Sequence, residues 1–121
     1  MLTPKKNVLL TDDDAAVLDV MTIILEEAGY SVSQARNGED VLSKEKHQPD
    51  LILLDLAMAG MNGSVVCEHL KSQPSTQHIP VIIVSANNDI KEISERVGAD
   101  GYLSKPFDMD DLVSTVEKYI G

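Results

Sequence analysis

Cysteine is almost missing from this chain of 121 residues: Cys67 stands alone. A lone cysteine rules out an intrachain disulfide. Its place in a helical pattern suggests a small, partly buried, reduced residue rather than a reactive one. Positive charge is also scarce. Twenty acids face ten lysines and arginines, giving a formal net charge of −10. Such a balance disfavours direct binding to nucleic acid or to an anionic membrane, either of which needs a basic face. Long apolar runs are missing too, and no segment reaches the length of a membrane span. Met1 to Lys6 lacks the apolar stretch of a signal peptide, which makes the cytoplasm the expected location. His47, His69 and His78 have no metal-ligand spacing with Cys67 and read as surface residues. The chain has no internal repeats, low-complexity segments or linker.

What the chain does have is an ordinary globular balance, 43% hydrophobic and 25% charged. Its length fits one domain over residues 1–121, with enough chain to bury a core. Asn7–Leu10 is a short apolar strand that stops abruptly at Thr11, Asp12, Asp13 and Asp14. Leu18, Met21, Leu25 and Ala28 follow at helical spacing, with Gly29 as a stop signal. Tyr30–Ala35 alternates loosely, as a strand near a sheet edge would. Asn37-Gly38 is a turn signal, and Val41 and Leu42 mark a short helix ending before Pro49. Leu51–Leu54 is a continuous apolar strand running into Asp55, followed by a loop of small residues from Ala57 to Gly63. Val65, Val66, Cys67 and Leu70 suit a third helix, and Pro74–Pro80 a loop. Val81–Val84 is a further apolar strand ending at Ser85. Ile90, Ile93 and Val97 mark a fourth helix stopped by Gly98. Gly101–Ser104 is a last strand before Lys105-Pro106, and Leu112, Val113, Val116, Tyr119 and Ile120 mark a fifth helix.

Strands that alternate with helices imply a parallel sheet covered on both faces. Continuous apolar strands agree with burial on both sides. In such sheets ligands bind beyond the carboxyl ends of the strands. Asp12 and Asp13 follow the first strand, Asp55 the third, Ser85 the fourth and Lys105 the fifth. Three carboxylates, a hydroxyl and an ammonium therefore converge on one edge, although the fold itself needs no such set. Close carboxylates repel unless a cation joins them. Mg²⁺ suits the donors: a hard ion that takes oxygen ligands and keeps room for phosphate oxygens. A carboxylate fixed on a rigid strand can attack phosphorus and form an acyl phosphate. Lys105 and Ser85 can then balance and hydrogen-bond the phosphoryl oxygens. Asp14 reads as a helix cap, and Asp108, Asp110 and Asp111 as residues favouring the start of the last helix.

Four stretches carry a resemblance: "VLLTDDD", "PDLILLDLAMAGMNG", "IPVIIVSAN" and "GADGYLSKPF". In this order and at these separations they are similar to the receiver domains of two-component response regulators, including the single-domain chemotaxis regulators. The resemblance runs from about Lys5 to Ile120. It implies a flavodoxin-like, doubly wound (βα)5 sandwich of three layers with parallel strand order 2-1-3-4-5. It implies that Asp55 is the phosphoacceptor, that Asp13 binds Mg²⁺ directly and Asp12 largely through water, and that the Ala57 backbone carbonyl is a third ligand. Ser85 and Lys105 would contact the phosphoryl group, and Tyr102 would be the aromatic switch that follows Ser85 inward. The Lys105-Pro106 peptide is cis in the family. The partners implied are a sensor histidine kinase or phosphotransfer protein, and an output domain or target that meets the fourth helix, fifth strand and fifth helix. Three positions depart from the family pattern: Thr11 where an apolar residue is usual, Ala59 where proline is, and Asn62 where aspartate is common.

Two other functions fit parts of the pattern. Asp12-Asp13-Asp14 contains the Asp-x-Asp of haloacid-dehalogenase phosphatases, but Ser85-Ala86-Asn87-Asn88 and Lys105-Pro106 supply no later acidic pair. A receiver-like interaction module that is never phosphorylated usually lacks an acid or the lysine, and all are present here. For Tyr102 a plain half-buried edge aromatic is the competing reading. An output domain is expected to be absent, separate or removed, because the chain ends with its fifth helix.

Overall fold

A computed structural model describes residues 4–44, 48–58 and 62–121. His47 and Ala59, both singled out in the sequence, lie outside these. The elements alternate as β1 (Asn7–Thr11), α1 (Ala15–Glu27), β2 (Ser31–Ala35), α2 (Gly38–Lys44), β3 (Leu51–Asp55), α3 (Gly63–Ser72), β4 (Val81–Ser85), α4 (Ile90–Val97), β5 (Gly101–Ser104) and α5 (Met109–Ile120). All five strands are parallel, in the order β2-β1-β3-β4-β5. This is the flavodoxin-like architecture that the alternation and the resemblance implied.

The apolar strands split by residue parity, because successive side chains leave a strand on opposite faces. Val8, Leu10, Leu51, Leu53, Ile82 and Val84 pack with Leu18, Met21 and Leu25 of α1 and Leu112 and Val116 of α5. Leu9, Ile52, Leu54, Val81 and Ile83 pack on the other face with Val41, Val66, Cys67, Leu70, Ile90 and Val97. A run such as Leu-Ile-Leu-Leu thus serves two cores at once. β3, in the middle, is buried along its whole length, whereas the edge strand β2 is only partly so.

Helix ends are closed by short-range hydrogen bonds and turns. Asp14 accepts the amides of Ala16 and Val17 at 3.0 and 3.3 Å and caps α1. Asn62 caps α3 through the Ser64 amide at 2.7 Å, so the asparagine in place of the usual aspartate keeps a local task. Asp108 and Asp111 exchange hydrogen bonds in a capping box at the start of α5. Gly98 ends α4 in the left-handed region, with φ 78°.

Cys67 is fully buried, a correction to the partly buried thiol expected. Its position in α3 faces the sheet, and Sγ lies 3.7 Å from the Val97 carbonyl. Burial pushes the thiol up to about 11, which keeps it protonated and inert. In the native state at neutral pH, Cys67 will not react with a thiol-specific disulfide reagent, and one equivalent will react on unfolding; colorimetric titration checks both. Replacing the Asp14 cap by Ala will lower stability by about 0.5–2 kcal/mol, measured by urea unfolding.

Candidate functional site

β1, β3 and β5 end at the same edge of the sheet, and their continuations meet there. Asp55 closes β3 and is 1% exposed. Asp12 leaves β1 and is 3% exposed, while Asp13 beside it is open to solvent. Carboxylate oxygens of Asp12, Asp13 and Asp55 all lie within 4.8 Å of one another, an arrangement that could hold a metal ion. Lys105, just past β5, donates to Asp55 Oδ2 at 2.8 Å and to Asp12 Oδ2 at 3.2 Å. Its ammonium therefore sits between the two buried acids. The remaining oxygens are met by backbone: Asp55 Oδ1 accepts the Ala57 amide at 2.8 Å, and Asp12 Oδ1 accepts the Asp14 amide at 2.9 Å.

Burial pushes the Asp55 carboxyl above its ordinary range, and the nearby charge of Asp12 adds to this. The Lys105 ammonium and the Ala57 amide oppose the shift without cancelling it. For Lys105, burial acts to lower the pKa, but hydrogen bonds and charge from Asp55 and Asp12 outweigh it and hold the ammonium above its ordinary range. A site with raised carboxyl basicity, hard oxygen donors and one exposed acid fits a hard divalent cation.

Three neighbours set the backbone of this edge. Ser85 at the end of β4 accepts the Lys105 amide at 2.9 Å through its carbonyl. Its hydroxyl is turned to the next loop, where Oγ accepts the Asn87 amide at 2.9 Å. Gly63 opens α3 directly over Asp55: a Cβ there would lie 2.6 Å from the Asp55 carbonyl oxygen and 2.9 Å from Leu56 Cα. Only glycine permits that approach. Thr11 is buried at 2% exposure and hydrogen-bonds the β3 backbone, including the Asp55 amide at 2.8 Å. Sequence reading noted Thr11 only as a departure and passed over Gly63 within a loop. A hydroxyl in an apolar strand, next to the acids, was the available signal.

The Lys105-Pro106 peptide is cis. Tyr102 stands on the edge strand β5 and is 42% exposed. An open, mainly apolar groove of about 810 Å³ lies beside Lys105, lined by Val17, Val20 and Met21 of α1 and by Phe107 and Met109. Val20 and Met109 are more than half exposed.

The chain and its fold match a known family. The response regulator receiver domain model covers residues 8–117. The chain belongs to that family. The DNA-binding dual master transcriptional regulator RpaA of Synechocystis is 39% identical over 112 residues, 90% of this chain and 46% of RpaA. The polar-differentiation response regulator DivK of Brucella anthropi is 32% identical over 120 residues, 96% of this chain and 97% of DivK. The high-resolution structure of chemotaxis response regulator CheY4 of Vibrio cholerae superposes with TM-score 0.90 at 27% identity, covering 97% of this chain and 100% of that one. The receiver thus spans about half the length of RpaA and nearly all of DivK. Among the described residues, no helix is long and apolar enough to cross a membrane.

The raised Asp55 pKa has a measurable sign. With chelator present, the folded state holds the Asp55 proton to higher pH than the unfolded chain does. Its contribution to stability is therefore complete below the unfolded pKa of about 3.9 and is lost as pH rises through the folded value. An Asp55→Asn receiver has no such proton to lose. Its stability relative to the wild type will rise with pH across that window, as measured by urea unfolding at a series of pH values. A constant difference would contradict the shift.

Proposed function

We propose that this receiver domain accepts a phosphoryl group onto Asp55 and passes the event on as a change of surface. The observation that carries the reading is the buried Asp55 carboxylate, bonded to the Lys105 ammonium and clustered with Asp12 and Asp13. A carboxylate oxygen of Asp55 forms a bond to phosphorus as the donor's bond to its leaving group breaks, and the leaving group departs with a proton. With a phosphohistidine donor, the bond that breaks is P–N and the leaving group is imidazole. Lys105 balances charge on the phosphoryl oxygens, and the Ser85 hydroxyl donates to another once it releases the Asn87 amide. Asp12, Asp13, Asp55 and the Ala57 carbonyl would hold Mg²⁺, which when bound supplies charge neutralisation for the transferring group. Water later attacks phosphorus, the P–O bond to Asp55 breaks, and inorganic phosphate leaves the free carboxylate. The domain turns over no external substrate, so it acts as a switch rather than an enzyme.

The donor is a histidine kinase or a phosphotransfer protein, and the apolar groove along α1 offers it a surface beside Lys105. The signal leaves through α4, β5 and α5. Ser85 moves toward the phosphoryl group, and the exposed ring of Tyr102 turns into the space it leaves. Phosphate must favour that state by real contacts, and these side chains supply them. With a net charge of −10 the domain makes no direct nucleic-acid contact, and any DNA binding belongs to an attached or partner domain. We place it in the cytoplasm, as a single receiver over residues 1–121.

Incubation with acetyl phosphate and Mg²⁺ will add one phosphoryl group, read by intact mass, and chelation will prevent it. Asp55→Asn will take none. Lys105→Ala at saturating Mg²⁺ will slow the reaction by roughly 10²-fold. A folded wild type that binds Mg²⁺ and beryllofluoride but stays unmodified needs its own kinase. One that also ignores beryllofluoride is an interaction module, and the reading fails.

A further inference from the structure

The Thr11 hydroxyl lies outside the set of groups that meet the phosphoryl chemistry, yet it touches the strand that carries Asp55. β1 pairs with β2 as far as Thr11↔Ala35, but its register with β3 stops one residue earlier, at Leu10↔Leu53. At that point the side chain takes over. Thr11 Oγ1 donates to the Leu53 carbonyl at 3.1 Å and accepts the Asp55 amide at 2.8 Å. It grips β3 on either side of Leu54. Thr11 and Asp55 are 2% and 1% exposed, so these bonds are sheltered from water. The next two residues after Thr11 are Asp12 and Asp13. One hydroxyl therefore joins the strand end that bears two of the carboxylates to the residue that bears the third.

Carboxylates this close repel one another. Their spacing must come from the backbone, and Thr11 is where the two backbones are tied. We propose that Thr11 is a positioning residue: its hydroxyl sets Asp55 against Asp12 and Asp13, and so tunes divalent-cation affinity and phosphoryl-transfer rate. The rate part rests on the reading of Asp55 as phosphoacceptor; the cation part stands on the carboxylate cluster alone.

The test compares wild type, Thr11→Val and Thr11→Ser as full chains. Valine keeps the shape and β-branching but removes donor and acceptor; serine keeps both and loses a methyl group. Mg²⁺ affinity is read by calorimetry, and phosphorylation rate by intact mass at saturating Mg²⁺, each at a temperature where circular dichroism finds the variant folded. Ile82→Val, a destabilising change in the core of β4, controls for stability alone. Thr11→Val is expected to weaken Mg²⁺ binding and slow phosphorylation by about tenfold or more. Thr11→Ser and Ile82→Val should stay close to wild type in both. A purely structural hydroxyl would lower only stability, and a folded Thr11→Val that matches wild type in affinity and rate overturns the proposal. Should valine prevent folding, Thr11→Ala takes its place; failure of both to fold assigns Thr11 to the fold and likewise overturns it. If wild type binds Mg²⁺ but takes no phosphoryl group, the phosphoacceptor reading falls while the order of Mg²⁺ affinities still decides the role of Thr11.

Discussion

Asp55 is an ionisable group in the most buried strand of the sheet, and a carboxylate taken out of water is costly unless its oxygens are met. One oxygen is met by the Ala57 amide and the other by Lys105. Everything else at this edge answers the same demand. Asp12 is buried beside it and would be intolerable without the shared ammonium. Asp13 stays in solvent, so the cluster has an open side from which a cation can enter. The balance is deliberately incomplete: the Asp55 carboxyl remains more basic than usual despite its partners. A cluster in that condition gains from a divalent cation and from a group that brings one.

The fold is what makes such a cluster possible. Two apolar layers clamp β3 through side chains of alternating parity, so its end cannot drift to relieve repulsion. Gly63 lets α3 press onto the Asp55 backbone from one side. The Ser85 carbonyl fixes the base of Lys105 from another. The Thr11 hydroxyl ties the β1 end to β3. Around this rigid centre lie groups with local, breakable partners. Ser85 Oγ accepts a loop amide two residues on, and Tyr102 is partly exposed.

Much of this was readable before folding. Continuous apolar runs marked the central strands, helical spacing marked the helices, and the cap at Asp14 lay where short-range rules put it. Parallel alternation then sent Asp12, Asp13, Asp55, Ser85 and Lys105 to one edge, since each follows a strand. The sequence therefore determined the order of layers, the edge and the chemical inventory of the site, because these depend on neighbours in the chain and on periodicity.

Pairings decided only by tertiary structure join distant residues. Lys105 meets Asp55 across 50 positions and Asp12 across 93; Thr11 meets Asp55 across 44. No local rule says which acid takes the ammonium, or that a strand threonine will replace a ladder bond. The full burial of Cys67 and the contact of Gly63 with β3 have the same origin, for each depends on how closely α3 settles on the sheet. Periodicity tells which face of an element turns inward. How near two faces come, and which polar atoms they bring into reach, is set by packing against chain that lies far away in the sequence.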